Sequence, residues 1–70
     1  MHMQKFLTSR EKEIFELLVD NYDTVEISDK LKISEKTVRN HISNVIQKLG
    51  VKGRSQAILE LIKIGELSIW

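Results

Sequence analysis

The side chains best placed to do chemistry lie in residues 33–50, which read ISEKTVRNHISNVIQKLG. Lys36, Arg39, Asn40, Ser43, Gln47 and Lys48 all carry hydrogen-bond donors, and no acid stands among them. Between them Val38, Ile42, Val45, Ile46 and Leu49 recur at helical spacing. A solvated helix face ordinarily mixes both charge signs. A face fitted to a phosphate-lined groove has reason to exclude acids, because each would repel the backbone it approaches. The pattern reads as a DNA recognition helix over about residues 34–49.

At about 100° per residue, with Val38 at zero, the apolar positions fall within about 100° of one another. Lys36, Asn40, Ser43 and Gln47 lie opposite, at roughly 140° to 200°. Arg39 takes one shoulder; Thr37, His41, Asn44 and Lys48 take the other. A helix in the major groove presents its outward line to bases and its shoulders to phosphates. Arg39 and Lys36 then offer donors to guanine O6 and N7, and Asn40 matches an adenine edge. The competing reading is a helical protein-interaction module whose basic helix docks an acidic partner.

Other chemistry is thin. His41 stands without a cluster of further ligands or a catalytic partner, and packing or phosphate contact is the expected use of it. Glu11, Glu13 and Glu16 are expected on an exposed face, serving solubility and the helix dipole. No nucleotide-binding loop, catalytic triad or metal-ligand spacing occurs, so neither catalysis nor a metal or other cofactor is expected. The chain has no cysteine, which removes disulfides and thiolate zinc sites. No apolar run approaches the roughly 18 residues that span a membrane, and no signal-peptide core appears. A cytoplasmic location and no membrane partner are the expectation.

The elements that must position these residues are helices with short connections. There is no proline, no glycine before Gly50 and no sustained alternation. Thr8 and Glu11 form a capping box for a first helix, with Leu7 as its hydrophobic staple and Asn21 as its terminator. Ile14, Phe15, Leu17, Leu18 and Tyr22 face the core. Asp23 and Glu26 open a short second helix with Val25, Ile27 and Leu31 as its apolar positions. Ser34 caps the third, after a link of two or three residues that forces a steep crossing, as in a helix-turn-helix. Gly50 closes the third helix, and Arg54 and Ser55 lead into a fourth over about residues 56–66.

Seventy residues make one domain with a thin stability margin. Met1, His2 and Met3 read as a start codon plus a cloning remnant. Residues 1–5 are therefore set apart as a remnant or tail, with the domain over 6–70. Net charge is only +1, but it is unevenly spread. Residues 8–32 hold four basic and seven acidic side chains; residues 33–56 hold five basic and one acidic. Local potential, rather than the total, steers a polyanion.

The fourth helix carries more apolar surface than one core uses. Ile58, Leu59, Leu61, Ile62, Ile64 and Gly65 spread over an arc of about 220°, against the little over 100° a surface helix needs. A second copy of the chain is the simplest cover, with Ile58, Leu59, Ile62 and Gly65 at the contact and Gly65 admitting a close backbone. The tail from Leu67 to Trp70, or an absent domain, is the alternative. A two-fold dimer would also suit a two-fold operator.

Together these spacings resemble the LuxR/FixJ/GerE-type DNA-binding domain. Leu7-Thr8-x-Arg10-Glu11, Glu26-Ile27 with Leu31, Ile33-Ser34-x-x-Thr37-Val38-Arg39-x-His41, Lys48-Leu49-Gly50-Val51 and Arg54 with Ala57 carry the likeness. ISEKTVRNHISN and KLGVKGRSQA are especially similar to the stand-alone GerE-like regulators. The resemblance implies an all-α, four-helix helix-turn-helix bundle in a bacterial transcription regulator. It also implies a homodimer formed through the fourth helix, on a palindromic duplex operator. Contact with RNA polymerase fits such a regulator, and no small-molecule ligand is expected in this domain. By the same resemblance, Arg39, Asn40 and Ser43 face bases, while Thr37, His41 and Lys48 approach phosphates. Three positions depart from the pattern: Asn21 for a frequent glycine, Ser28 for a small alanine, and Val25 for a common basic residue.

Overall fold

The computed structural model describes residues 6–68. The suggested remnant at 1–5 and the last two tail residues lie outside them. Among the described residues there are four helices and no strand: α1 (Ser9–Val19), α2 (Thr24–Leu31), α3 (Glu35–Leu49) and α4 (Arg54–Lys63).

The first three helices begin where the caps predict. Thr8 Oγ1 accepts from the Glu11 N–H at 3.1 Å, and the Thr8 N–H donates back to Glu11 Oε1 at 3.0 Å. Asp23 and Glu26 form the same reciprocal pair at 2.8 and 2.9 Å. Ser34 Oγ accepts from the Thr37 N–H at 3.0 Å and lies 2.9 Å from Thr37 Oγ1. Each cap satisfies amides that the helix itself leaves without partners.

All four helices end in one way. Asn21, Lys32, Gly50 and Gly65 have φ values of 71°, 58°, 69° and 82°. The next residue's N–H reaches back to the carbonyl five positions earlier. Tyr22 donates to Leu17 at 3.0 Å, Ile33 to Ser28 at 3.1 Å, Val51 to Ile46 at 3.3 Å and Glu66 to Leu61 at 2.9 Å. This closure turns the chain sharply and places Tyr22, Ile33, Val51 and Leu67 against the core. Asn21 thus does a glycine's work, as its tolerance of left-handed backbone allows. Lys32 does so without that tolerance, at a cost of about 1 kcal/mol.

The fourth helix departs from expectation at both ends. It starts at Arg54, two residues before the predicted Gln56, because extended Gly53 is its N-cap. Gln56 instead helps to begin it: its Oε1 accepts from the Lys52 N–H at 2.8 Å. It stops at Lys63 rather than near Glu66, since Gly65 turns the chain and buries Leu67. Gly65 therefore lies beyond the helix, and its requirement is the positive φ. A Cβ there would meet nothing within 4 Å in the chain itself.

α3 packs against each of the other three helices. Its Val38, Ile42 and Val45 are buried with Ile14 and Phe15 of α1, Ile27 of α2, Ala57 and Leu61 of α4, and the flanking Leu7 and Leu67. Ser28 fits its departure from alanine by donating its hydroxyl to the Val25 carbonyl at 2.7 Å.

The left-handed closures make unlike predictions at two positions. Lys32→Gly should keep or raise the thermal midpoint, because glycine takes φ 58° without strain. Gly65→Val should cost about 1–2 kcal/mol, or roughly 4–8 °C per kcal/mol in a domain this small. Thermal unfolding followed by helix circular dichroism measures both.

Candidate nucleic-acid interface

α3 shares its surface between core and solvent as the periodicity requires. Lys36, Asn40, Ser43 and Gln47 are exposed along the outward line, with Arg39 and Asn44 exposed beside them. Thr37 and His41 are half-buried on one shoulder. Arg54 is exposed as the first residue of α4. The outward line carries no acid, as its sequence requires.

Two residues are committed in ways the pattern does not announce. Arg39 Nη2 donates to Glu35 Oε2 at 2.5 Å, one helical turn earlier. The same oxygen accepts from Thr24 Oγ1 of α2 at 2.9 Å. Glu35 therefore joins the starts of α2 and α3 and holds the one arginine of α3. The Glu-to-Arg spacing of four is a readable signal for that pair. The Thr24 contact comes from the crossing of the helices and has no sequence signature.

Lys48 departs from a simple phosphate-facing shoulder. Its Nζ lies 2.6 Å from Glu11 Oε1, 3.3 Å from the Phe6 carbonyl and 5.5 Å from the centroid of the Phe6 ring. Glu11 also departs from expectation: it is 4% exposed, whereas Glu13 and Glu16 are exposed as predicted. One carboxylate closes the α1 capping box and ties α1 to the far end of α3. Burial alone would raise the Glu11 carboxyl above its ordinary value. The Lys48 hydrogen bond, the Thr8 backbone N–H, the Lys48 charge and the Thr8 hydroxyl outweigh it, and the net direction is down. The contribution of Lys48 is thus first to the fold, and its charge is shared with Glu11 before any phosphate arrives.

Charge completes the picture. The α1 surface mixes both signs, Arg10 and Lys12 with Glu13 and Glu16, and Arg10 is drawn to Glu13 at 3.2 Å. Among the described residues Lys36, Lys52 and Arg54 have no ion-pair partner. Arg54 sits at a helix start where a cation opposes the backbone dipole. That placement is relieved when an anion binds there.

A short scaffold helix, a three-residue turn and a longer helix whose outward line is exposed and acid-free define a helix-turn-helix DNA-binding protein. A family model described as bacterial regulatory proteins, luxR family, matches residues 5–61, and the chain belongs to that family. It is 67% identical over 63 residues to the Spore germination protein GerE of Bacillus subtilis (strain 168), a match covering 90% of this chain and 85% of that protein. It is 48% identical over 63 residues to the Transcriptional regulatory protein DegU of Brevibacillus brevis, of which it spans 27%. The solved structure of the transcription factor GerE superposes with a TM-score of 0.93 at 70% identity, covering 96% of this chain and 100% of that one. The response regulator ChrA of a heme-sensing two-component system gives a TM-score of 0.83 at 32% identity over 94% of this chain and 33% of that one. The chain is a LuxR-family DNA-binding transcription regulator and not an enzyme.

The Glu11–Lys48 pair generates a stability prediction. Lys48→Ala leaves a buried carboxylate short of a partner and should cost about 1–3 kcal/mol at neutral pH. The folded-state pKa of Glu11 lies below 4.5, so its stabilisation is complete above that value and is lost as pH falls through the lowered one. Acid unfolding of Glu11→Gln should therefore be flatter than wild type below about pH 4.5. Denaturant midpoints measured from pH 7 to pH 3 test both statements.

Proposed function

We propose that this chain regulates transcription as a homodimer on a palindromic operator, with α3 of each protomer in the major groove. The acid-free outward line Lys36, Asn40, Ser43 and Gln47, all exposed, is the observation that carries this reading. Lys36, Arg39, Asn40 and Ser43 in the N-terminal half read base edges, and Gln47 extends the line. Thr37, His41 and Asn44 approach the backbone from the shoulder, and Arg54 with Lys52 meets a phosphate at the start of α4. Lys48 reaches phosphate only while sharing its charge with Glu11.

α4 supports the dimer. Leu59 is 61% exposed, with Ile58 and Ile62 half-buried beside it. Pairing that edge across a two-fold axis would set two recognition helices about 34 Å apart, one turn of DNA. Gly65, in its turn beyond the helix, would lie at the margin of this contact rather than within a helix-helix crossing. A regulator seated this way in the cytoplasm keeps the exposed Glu13 and Glu16 of α1 available to RNA polymerase.

With Lys52 and Arg54 from each protomer at phosphates, the slope of log affinity against log salt should be about −4. A slope near zero contradicts DNA binding of this kind. Asn40→Ala and Arg39→Ala should each cost about 1–3 kcal/mol on the preferred site and relax base choice. Uniform loss on all duplexes would contradict their role as readers. Leu59→Glu is the clean probe of assembly, because Ile62 also packs on the core. The variant should fold, sediment as a monomer and bind single half-sites only. A wild type that stays monomeric on and off DNA would contradict the dimer.

A further inference from the structure

The Arg39–Glu35 pair is an exposed i,i+4 contact, with side chains 61% and 34% exposed. Such pairs add little to stability on their own. This one has a second anchor: Glu35 Oε2 also takes the Thr24 hydroxyl at 2.9 Å, from the first turn of the preceding helix. A hydroxyl donated to a carboxylate is a charge-assisted bond, and it fixes the acid's orientation from outside its own helix. Glu35 is also the one acid among residues 33–56, placed against the one arginine of α3.

We propose that Glu35 is a positioning residue for base readout, holding the Arg39 guanidinium to the start of α2 so that it meets DNA already ordered. The inference rests on α3 being the major-groove helix and Arg39 a base contact. A loose arginine gives up much side-chain freedom when it docks, and pre-ordering removes part of that cost. The hydrogen-bond geometry permits both contacts. Nη2 carries two hydrogens, one in each of the guanidinium's two forks. Donating either to Glu35 leaves the other fork complete for O6 and N7 of a guanine. The charge consequence is opposite in sign to the ordering one. A neutralised pair attracts phosphate weakly, so Arg39 contributes to choice of sequence more than to general affinity.

The test is site selection from randomised duplexes, followed by affinities for the selected and a random duplex at one salt concentration. The base pair whose preference Arg39→Ala erases marks the position read. There Glu35→Ala and Glu35→Gln should lower discrimination by about 5-fold, out of the roughly 5- to 150-fold a good bidentate contact supplies. Both should bind random duplex more tightly, because a negative charge is gone. Thr24→Val should also lower discrimination but leave random-duplex affinity unchanged, since no charge changes. In an Arg39→Ala background Glu35→Gln should no longer alter base choice. Circular dichroism establishes that each variant is folded, and Glu35→Gln and Thr24→Val carry the test if Glu35→Ala is not. Full discrimination in folded Glu35→Gln and Thr24→Val overturns the proposal while leaving the Arg39 reading intact. So does an equal effect of Glu35→Gln with and without Arg39. If Arg39→Ala leaves every base preference unchanged, the proposal falls together with the reading beneath it.

Discussion

One constraint governs the molecule: α3 must be the centre of the core and carry the proposed DNA-reading surface at once. A domain of four short helices has one small core and cannot keep a second one apart from its outward face. Val38, Ile42 and Val45 on one side of α3 are packed by all three other helices. The opposite side carries Lys36, Asn40, Ser43 and Gln47 into solvent. The helical repeat keeps the two sets apart, so burying the first set fixes where the second set points. The outward face cannot roll or slide without disturbing the core beneath it.

The rest of the fold serves that geometry. Capping boxes set the starts of α1 and α2, and Ser34 sets the start of α3. Left-handed closures turn the chain where a longer loop would weaken a small domain. Two polar links then pin the ends of α3 itself. Glu11 and Lys48 tie its last turn to α1, and Glu35 ties its first turn to Thr24 of α2. Both links use acids whose carboxylates are well partnered, so neither leaves a charge stranded. The scaffold that orients the helix and the side chains proposed to read from it thus share atoms.

Local signals made most of this fold legible in the sequence. Thr8 with Glu11, Asp23 with Glu26, Ser34, Asn21 and Gly50 each act within a few residues, and each boundary fell where its chemistry put it. The spacing of Val38, Ile42 and Val45 announced the core face of α3 in the same way. Contacts made across the fold were not legible. Glu11 looked like one of three exposed acids, because only the approach of α3 brings Lys48 to it. Thr24 carries no mark of its bond to Glu35. Lys32 adopts left-handed backbone because the turn demands it, against its own preference. Gly65 belonged to a turn rather than to the apolar arc of α4, since an arc counted by angle assumes that the helix continues. The donor-rich face itself was plain from residue types, and the spacing of four signals the Glu35–Arg39 pair, whereas the commitment of Lys48 depended on the packing.

The central claim is that the outward line of α3 meets DNA while its buried line holds the fold. Titrating isotope-labelled protein with a selected duplex, and following every amide by NMR, tests it most directly. The account predicts large shifts at Lys36, Arg39, Asn40, Ser43 and Gln47, smaller ones at Lys52 and Arg54, and an α1 surface around Glu13 and Glu16 that stays as it was. Shifts concentrated on α1, with the α3 face unmoved at saturation, would contradict it.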